Sequence, residues 1–123
     1  MLGNMTTSSD ISTVDEQRRE MVRVAHSILD GSIGIVAGAR QLTRLRFPSR
    51  AENDSDILVF VGIDSQTDHL PLGDVRRLWN IDVLKVKDEE LQAYEAQVRE
   101  RAFGSCKSLI ARYESVLTSR EPV

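Results

Sequence analysis

The chain has 123 residues, a formal net charge of −3 and one cysteine, Cys106. That length is enough for one domain with its own apolar core, and 41% apolar with 28% charged residues is typical of a folded globular protein. The negative balance argues against a nucleic-acid binder, which would need basic residues segregated on one face. A single cysteine excludes an intramolecular disulfide and favours a reducing compartment.

No segment of the sequence is apolar for long enough to cross a bilayer. The N-terminal residues also lack the basic-then-apolar pattern of a signal peptide. We therefore predict a soluble, cytoplasmic protein that does not associate with membranes. The position of Cys106 on the apolar side of a predicted helix indicates a small buried side chain rather than a reactive thiol.

The first part of the chain is expected to be a leader followed by a helix. Residues 1–12 are rich in Ser, Thr, Asn and Gly and show no periodicity, which predicts a flexible, disordered leader. The single helical domain is predicted to span residues 13–119. Its first helix is expected to begin at Thr13, which can form a T-x-x-E capping box with Glu16, and to end at Gly31.

A second helix is expected between Ser32, as its N-cap, and Pro48. Gly34 and Gly38 lie four residues apart on one face of this helix. They either allow a neighbouring segment to approach closely or mark a loosely wound first turn, and the sequence leaves both alternatives open.

The apolar run Ile57–Ile63 is ambiguous between strand and helix. Taken alone it is typical of a buried strand, because Ile, Val and Phe favour pleated backbone. A strand needs a partner, however, and the sequence contains no second convincing strand. We therefore predict a buried third helix, capped by Ser55 or Asp56 and ending near Asp68.

A long helical pattern follows Asn80, its expected cap, and continues to Leu117. An unbroken helix of that length would span roughly 55 Å, whereas a compact domain of this size has a radius of gyration of about 14 Å. The helix therefore either breaks, near Lys87–Asp88 or Gly104, or projects and meets a second subunit. The predicted fold is an all-α compact bundle of four to five helices, with a homodimer through the C-terminal helix as a further prediction.

The segment Ile57–Trp79 concentrates side chains that carry chemistry, including the only tryptophan and one of the two histidines. This concentration predicts either a tightly bonded corner of the fold or a surface that binds a partner. The candidate partner-binding residues are Asp64, Thr67, Asp68, His69, Asp74, Arg76 and Arg77.

Purely structural roles compete with binding at these positions. Thr67 and Asp68 would end the third helix, and His69 would bond its last carbonyl groups. An arginine of the segment, Arg76 or Arg77, would pair with an aspartate and fix the corner.

Trp79 also has a structural alternative. Leu78 and Ile81 flank it as core residues would, which favours a tryptophan that closes the end of the bundle over one that binds a partner.

A metal site is the alternative function. Asp64, Asp68 and His69 form a D-x-x-x-D-H pattern, and two carboxylates beside an imidazole could ligate a divalent ion in a metal-binding protein or metal-dependent enzyme. Helical di-metal proteins, however, use glutamates and E-x-x-H pairs from several helices, which this sequence lacks. No nucleophile elbow, P-loop or Rossmann motif is present, so we predict no cofactor and favour a non-enzymatic role.

Three arginines, Arg40, Arg44 and Arg46, fall close together on the predicted second helix. A phosphate or RNA contact is one interpretation, and a solvated helix face is the ordinary one. Because no aromatic residues are interleaved with them, we do not expect a nucleic-acid partner.

Three segments carry a resemblance to known sequences: GSIGIVAGARQLTRLR, FVGIDSQTDHLPLGDVRRLW and KDEELQAYEAQVRERAFGSCKSLI. The chain resembles a group of small bacterial proteins of unknown function that share an F-V-G-I-D-S-x-T-D-H-L-P core. The resemblance implies a bacterial, soluble, helical protein and assigns no activity to any residue. By analogy of size and fold, we predict a protein–protein interaction module, most concretely an immunity-type inhibitor or small adaptor. It would block a partner sterically through an acidic central surface, with a cognate toxin as one candidate partner. The acids of this surface crowd the middle of the chain: Glu52, Asp54, Asp56, Asp64, Asp68 and Asp74.

Overall fold

The computed structural model describes the backbone of residues 2–120 and the side chains of residues 13–118. Over this part of the chain it contains five helices and no strand. They are α1 (Leu2–Asp30), α2 (Ile35–Leu45), α3 (Ser55–Gln66), the short 3₁₀ helix η1 (Gly73–Leu78) and α4 (Ile81–Arg120). The all-α bundle with a long C-terminal helix is confirmed. Residues 1–12 were predicted as a flexible leader; the backbone is helical from Leu2 onward, and the side chains of these residues lie outside the described part of the chain.

The core lies where α1 packs along α4 and where the α2–α3 pair covers them. Each of the four long helices contributes side chains that are less than 2% exposed. The largest of these are Met21 and Ile28 of α1, Leu42 of α2, Ile57 and Phe60 of α3, and Leu109 of α4.

The end of α1 follows the sequence signal, whereas its beginning does not. Gly31 has a φ of +84°, the left-handed conformation that glycine adopts most readily, and its N–H donates to the carbonyl of Ile28. The expected N-cap at Thr13 is wrong, because α1 begins at Leu2 and Thr13 lies inside it.

Helix α2 is capped by a residue from another helix. Its N-cap residue is Gly34, which has no side chain to accept a hydrogen bond. Ser32, the predicted N-cap, lies before the helix, and its backbone N–H donates to Oδ1 of Asp30 at 2.8 Å. The N–H of Val36 in the first turn donates to Oε2 of Glu95 in α4 at 2.9 Å. A carboxylate is favourable there because the helix N-terminus carries unpaired N–H groups and a partial positive charge.

Close approach is the correct alternative at Gly38. A Cβ at this position would lie 2.5 Å from both Cγ1 and Cδ1 of Ile28, a fully buried side chain of α1. The absence of a side chain therefore lets α1 and α2 pack at short range. Gly34 lies before the helix, where a Cβ would meet Oε2 of Glu95 at 3.1 Å.

The run Ile57–Ile63 is helical, as predicted. Its N-cap is Asp54 rather than Ser55 or Asp56: Oδ1 of Asp54 accepts from the N–H groups of Asp56 at 2.9 Å and Ile57 at 3.2 Å. Ile57, Phe60 and Ile63 are buried at a spacing of three, which a strand could not provide on one face.

Helix α4 is continuous and has no break at Lys87–Asp88 or Gly104. Asn80 caps it as predicted, with Oδ1 accepting from the N–H of Asp82 at 2.8 Å. Its 40 residues span about 60 Å. No residue of α4 before Ala102 is fully buried, but Leu91, Tyr94 and Val98 are partly buried and pack against the core, which α4 therefore joins from Leu91 onward. Among the described helices none is both long and apolar enough to cross a membrane.

Cys106 lies in the core with no exposed surface, as predicted. Burial raises the pKa of its thiol to about 12. The thiol therefore stays protonated at physiological pH, and its role is that of a small apolar side chain.

We expect Gly38→Ala to lower the free energy of unfolding by about 1–2 kcal/mol, because overpacking against Ile28 outweighs the better helix propensity of alanine. Gly62→Ala in α3 is the matched control, because a Cβ added there would meet no neighbouring atom within 4 Å. This control should raise the free energy of unfolding by about 0.5–1 kcal/mol. Urea denaturation followed by circular dichroism measures both, and equal effects would contradict the close packing of α1 on α2.

Candidate protein-interaction surface

An arginine from α2 binds the turn at the end of α3, residues 64–70, called the corner here. Nη2 of Arg40 donates to the carbonyl oxygens of Thr67 at 2.5 Å and Leu70 at 2.9 Å. Its Nε lies 3.5 Å from Oδ1 of Asp64. The hydroxyl of Thr67 donates back to the carbonyl of Ile63 at 2.7 Å. Carbonyl groups at a helix end lack helical partners, and a guanidinium satisfies them with charge-assisted hydrogen bonds.

The segment from Thr67 to Asn80, called the strap here, crosses from this corner to the start of α4. Arg76 binds Asp88 through two parallel hydrogen bonds of 2.7 and 2.8 Å. Nε2 of His69 lies 2.5 Å from Oε2 of Glu90. These hydrogen bonds hold the pKa values of both carboxyl groups below their ordinary values. The strap is thus fixed to α4 at two points within about one helical turn of each other.

The predicted site residues do not form one site. Asp64 and Thr67 belong to the corner, while His69 and Arg76 face α4. The expectation that His69 bonds the last carbonyls of α3 is wrong, because it contacts Glu90 instead.

The arginine that pairs with Asp64 is Arg40 of α2, whereas Arg76 pairs with Asp88. The remaining predicted residues, Asp68, Asp74 and Arg77, are exposed.

The geometry does not support the metal hypothesis. Within residues 13–118, no three His, Cys, Asp or Glu side chains lie close enough to share a metal ion. Asp64 is directed to Arg40 and His69 to Glu90. The D-x-x-x-D-H pattern therefore divides between two different structural contacts.

The arginines of α2 are also used within the fold. The guanidinium of Arg40 is committed to the corner, and that of Arg46 lies over the ring of Phe47, 4.5 Å from its centroid. A cleft of about 540 Å³ between α2 and the strap is lined by Arg40 and Arg44, but also by the carboxylate of Asp64. This arrangement favours structural roles for the arginines over phosphate binding.

Trp79 does not close the end of the bundle, contrary to the sequence prediction. Its neighbours Leu78 and Ile81, expected in the core, are 82% and 80% exposed, and Trp79 itself is 36% exposed. The physical reason is that these side chains precede the part of α4 that packs on the core, which begins at Leu91.

These residues belong to a larger exposed apolar surface, called the tip surface here. Its members are Val75, Leu78, Trp79, Ile81, Val83 and Val86, all exposed on η1, the strap end and the first turns of α4. In the described part of the chain, only Phe47 and Leu58 are further large apolar side chains with comparable exposure. Six of the eight exposed large apolar side chains of the described residues thus fall within residues 75–86.

Charged side chains lie among these exposed apolar residues. Asp74 and Arg77 are exposed on η1, and Asp82, Lys85 and Glu89 are exposed on α4. Because successive residues of a helix are rotated by about 100°, these three α4 residues lie between Ile81 on one side of the helix and Val83 and Val86 on the other.

The tip surface was not predicted from the sequence, because Leu78, Trp79 and Ile81 were expected in the core. One signal was present in the pattern. Val86 follows Leu84 by two residues, which places it on the opposite side of α4 from the stripe formed by Leu84, Leu91 and Val98. Apolar residues on both sides of a helix indicate a second contact surface.

Comparison of the chain with protein-family models, with curated proteins and with solved structures finds no match. The function is therefore argued from the surface of this molecule, because a helical bundle by itself does not define an activity.

We expect Arg40→Lys to lower the free energy of unfolding by about 1–3 kcal/mol, because an ammonium group cannot reproduce the fork that reaches both corner carbonyls. Arg44→Lys, at an exposed position one turn further along α2, is the matched control and should change stability by less than about 0.5 kcal/mol. Urea denaturation measures the free energy of unfolding of both variants. Equal losses would show that the corner does not depend on the guanidinium.

Acidification is expected to release the strap. The pKa of Asp88 is lowered by its hydrogen bonds to Arg76, so the stabilising contribution of this pair is present above the ordinary value of 3.8 and is lost as the pH falls through the lower folded value. Emission of Trp79, the only tryptophan, should report the change. Asp88→Asn should remove the part of this pH dependence that comes from the Arg76 pair and leave the part from Glu90, whose pKa is also lowered, whereas Glu89→Gln should leave both parts. An unchanged profile in Asp88→Asn would contradict the assignment.

Proposed function

We propose that the protein is a protein–protein interaction module that binds its partner through the tip surface. The observation that carries this proposal is the clustering of six exposed large apolar side chains within residues 75–86. Covering an apolar side chain of this size contributes about 1.5–3 kcal/mol when burial is complete. Tryptophan and arginine, present here as Trp79 and Arg77, are among the residue types that most often dominate binding energy at interfaces.

The tip surface is held in place before any partner binds. Its strap is anchored at Arg76–Asp88 and His69–Glu90, and its start is anchored through Leu70 by Arg40. A surface ordered in advance loses little conformational entropy on binding, which favours affinity. The proposed role is therefore that of an immunity-type inhibitor, which blocks its partner sterically, or of a small adaptor. Both roles require a preformed binding surface.

The acidic central surface contributes less to this role than the sequence pattern predicted. Arg112 lies 3.3 Å from a carboxylate oxygen of Asp54 and 2.5 Å from one of Asp56. Asp64 is likewise engaged by Arg40. Because arginines of the same chain pair with these carboxylates, we favour apolar contact at the tip surface over charge attraction to a basic partner.

The test compares binding by the wild type, by the double variant Leu78→Asp/Ile81→Asp and by the control Phe47→Asp. All three changes fall at exposed positions, so the fold should persist and circular dichroism checks this. A protein captured by the wild type is purified and titrated against each variant. The double variant is expected to bind about thirtyfold or more weakly, the effect of losing one interface hot spot, while the control binds normally. Equal binding by the double variant would contradict the proposal.

A further inference from the structure

We infer that residues 73–90, called the tip segment here, open and close as a unit separate from the core, with the Arg76–Asp88 ion pair as the latch that holds the unit closed. The tip segment comprises η1 and the first turns of α4 and carries the tip surface. Its opening needs no partner. Its bearing on partner binding rests on the proposed function, because the tip surface exists only while the segment is closed.

The tip segment contributes no side chain to the core. None of residues 73–90 is buried, and none is among the partly buried apolar residues that pack against the core. Its most exposed apolar side chains, Leu78 and Ile81, already contact water in the folded chain. Apolar burial is the dominant stabilising contribution to folding, so a segment that buries little can open at low cost in free energy.

The two boundaries of the tip segment coincide with changes in burial. Before it, Pro71 is buried and Leu72 packs against the core. After it, Leu91 and Tyr94 pack against the core. Local opening of a protein proceeds in contiguous units that end where core packing begins. We therefore expect opening to stop at these boundaries and to leave the core folded.

Gly73 provides a pivot at the first boundary. Its φ is +68°, the left-handed conformation, and a Cβ added there would meet no neighbouring atom within 4 Å. The backbone at this position is free of packing and can absorb a change of direction. At the second boundary α4 continues without a break, so opening there consists of unwinding of the first turns of α4 up to Leu91.

The latch joins the two parts of the tip segment. Two parallel hydrogen bonds of 2.7 and 2.8 Å connect the guanidinium of Arg76 in η1 with the carboxylate of Asp88 in α4. Such bidentate, charge-assisted hydrogen bonds are stronger than neutral ones. Nη1 of Arg76 also donates to the carbonyl of Pro71 at 3.3 Å, on the core side of the pivot. The contact of His69 with Glu90 involves only the last residue of the segment and does not reach η1.

Amide hydrogen exchange of the full chain, followed for individual residues by nuclear magnetic resonance, tests the separate unit. Amides of residues 85–90 donate within α4, and we expect their protection factors to be about a hundredfold or more below those of residues 105–109. Low urea concentrations should accelerate exchange at residues 105–109 and leave residues 85–90 unchanged, because local opening exposes little new surface. Equal protection with equal urea dependence would overturn the inference, since the segment would then unfold only together with the core.

Two single variants and their combination test the latch. Asp88→Asn and Arg76→Gln should each lower the protection factors of residues 85–90 about two- to fivefold, although Arg76 lies outside α4. The double variant should lose no more than either single variant, because the same contact is removed in all three. Residues 105–109 should keep the protection of the wild type.

Glu89→Gln, at the exposed neighbour of Asp88, is the matched control and should leave the protection factors of residues 85–90 unchanged. Wild-type protection in Arg76→Gln, or additive losses in the double variant, would overturn the latch. These measurements contain no partner, so their failure leaves the proposed function in place. Binding by Leu78→Asp/Ile81→Asp tests that function separately.

Discussion

The guanidinium of Arg40 joins α2 to the turn after α3, two parts of the chain that are distant in sequence, and the direction of the strap depends on it. It satisfies carbonyl groups of Thr67 and Leu70 at the end of α3, where the chain turns into the strap. The strap begins at that turn, so the direction in which it leaves is determined by bonds to α2. Two further contacts, the Arg76–Asp88 ion pair and the His69–Glu90 hydrogen bond, then fix the strap to α4. An apolar surface is thereby held outside the core by polar contacts.

A polar contact with another helix also holds the N-terminal end of α2. Glu95 of α4 accepts a hydrogen bond from the first turn of α2, while Arg40, in the same short helix, donates to the corner. Apolar packing at Gly38 and Ile28 sets the distance between α1 and α2. Apolar packing is not directional, whereas these charge-assisted hydrogen bonds are. Together they fix both how close α2 lies and how it is rotated.

The sequence predicted those features whose causes are local. Gly31 as a helix end, Asn80 as a cap and the helical state of Ile57–Ile63 each follow from neighbouring residues. The roles of Arg40 and Glu95 could not be predicted, because their partners lie in other helices and long polar side chains reach many positions. The exposure of Leu78 and Ile81 was mispredicted for a related reason: an apolar pattern shows that a residue can be buried, not that an element is present to bury it.

The separation of core and tip along α4 has a consequence for how this chain can vary. The buried residues of α4 begin at Ala102, so substitutions near its N-terminus cost little folding free energy. Substitutions between Ala102 and Leu117 are therefore constrained by the stability of the core, whereas those in the first turns of α4 are not. A lineage carrying this fold can change the side chains exposed there in single steps, without first acquiring compensating mutations in the core.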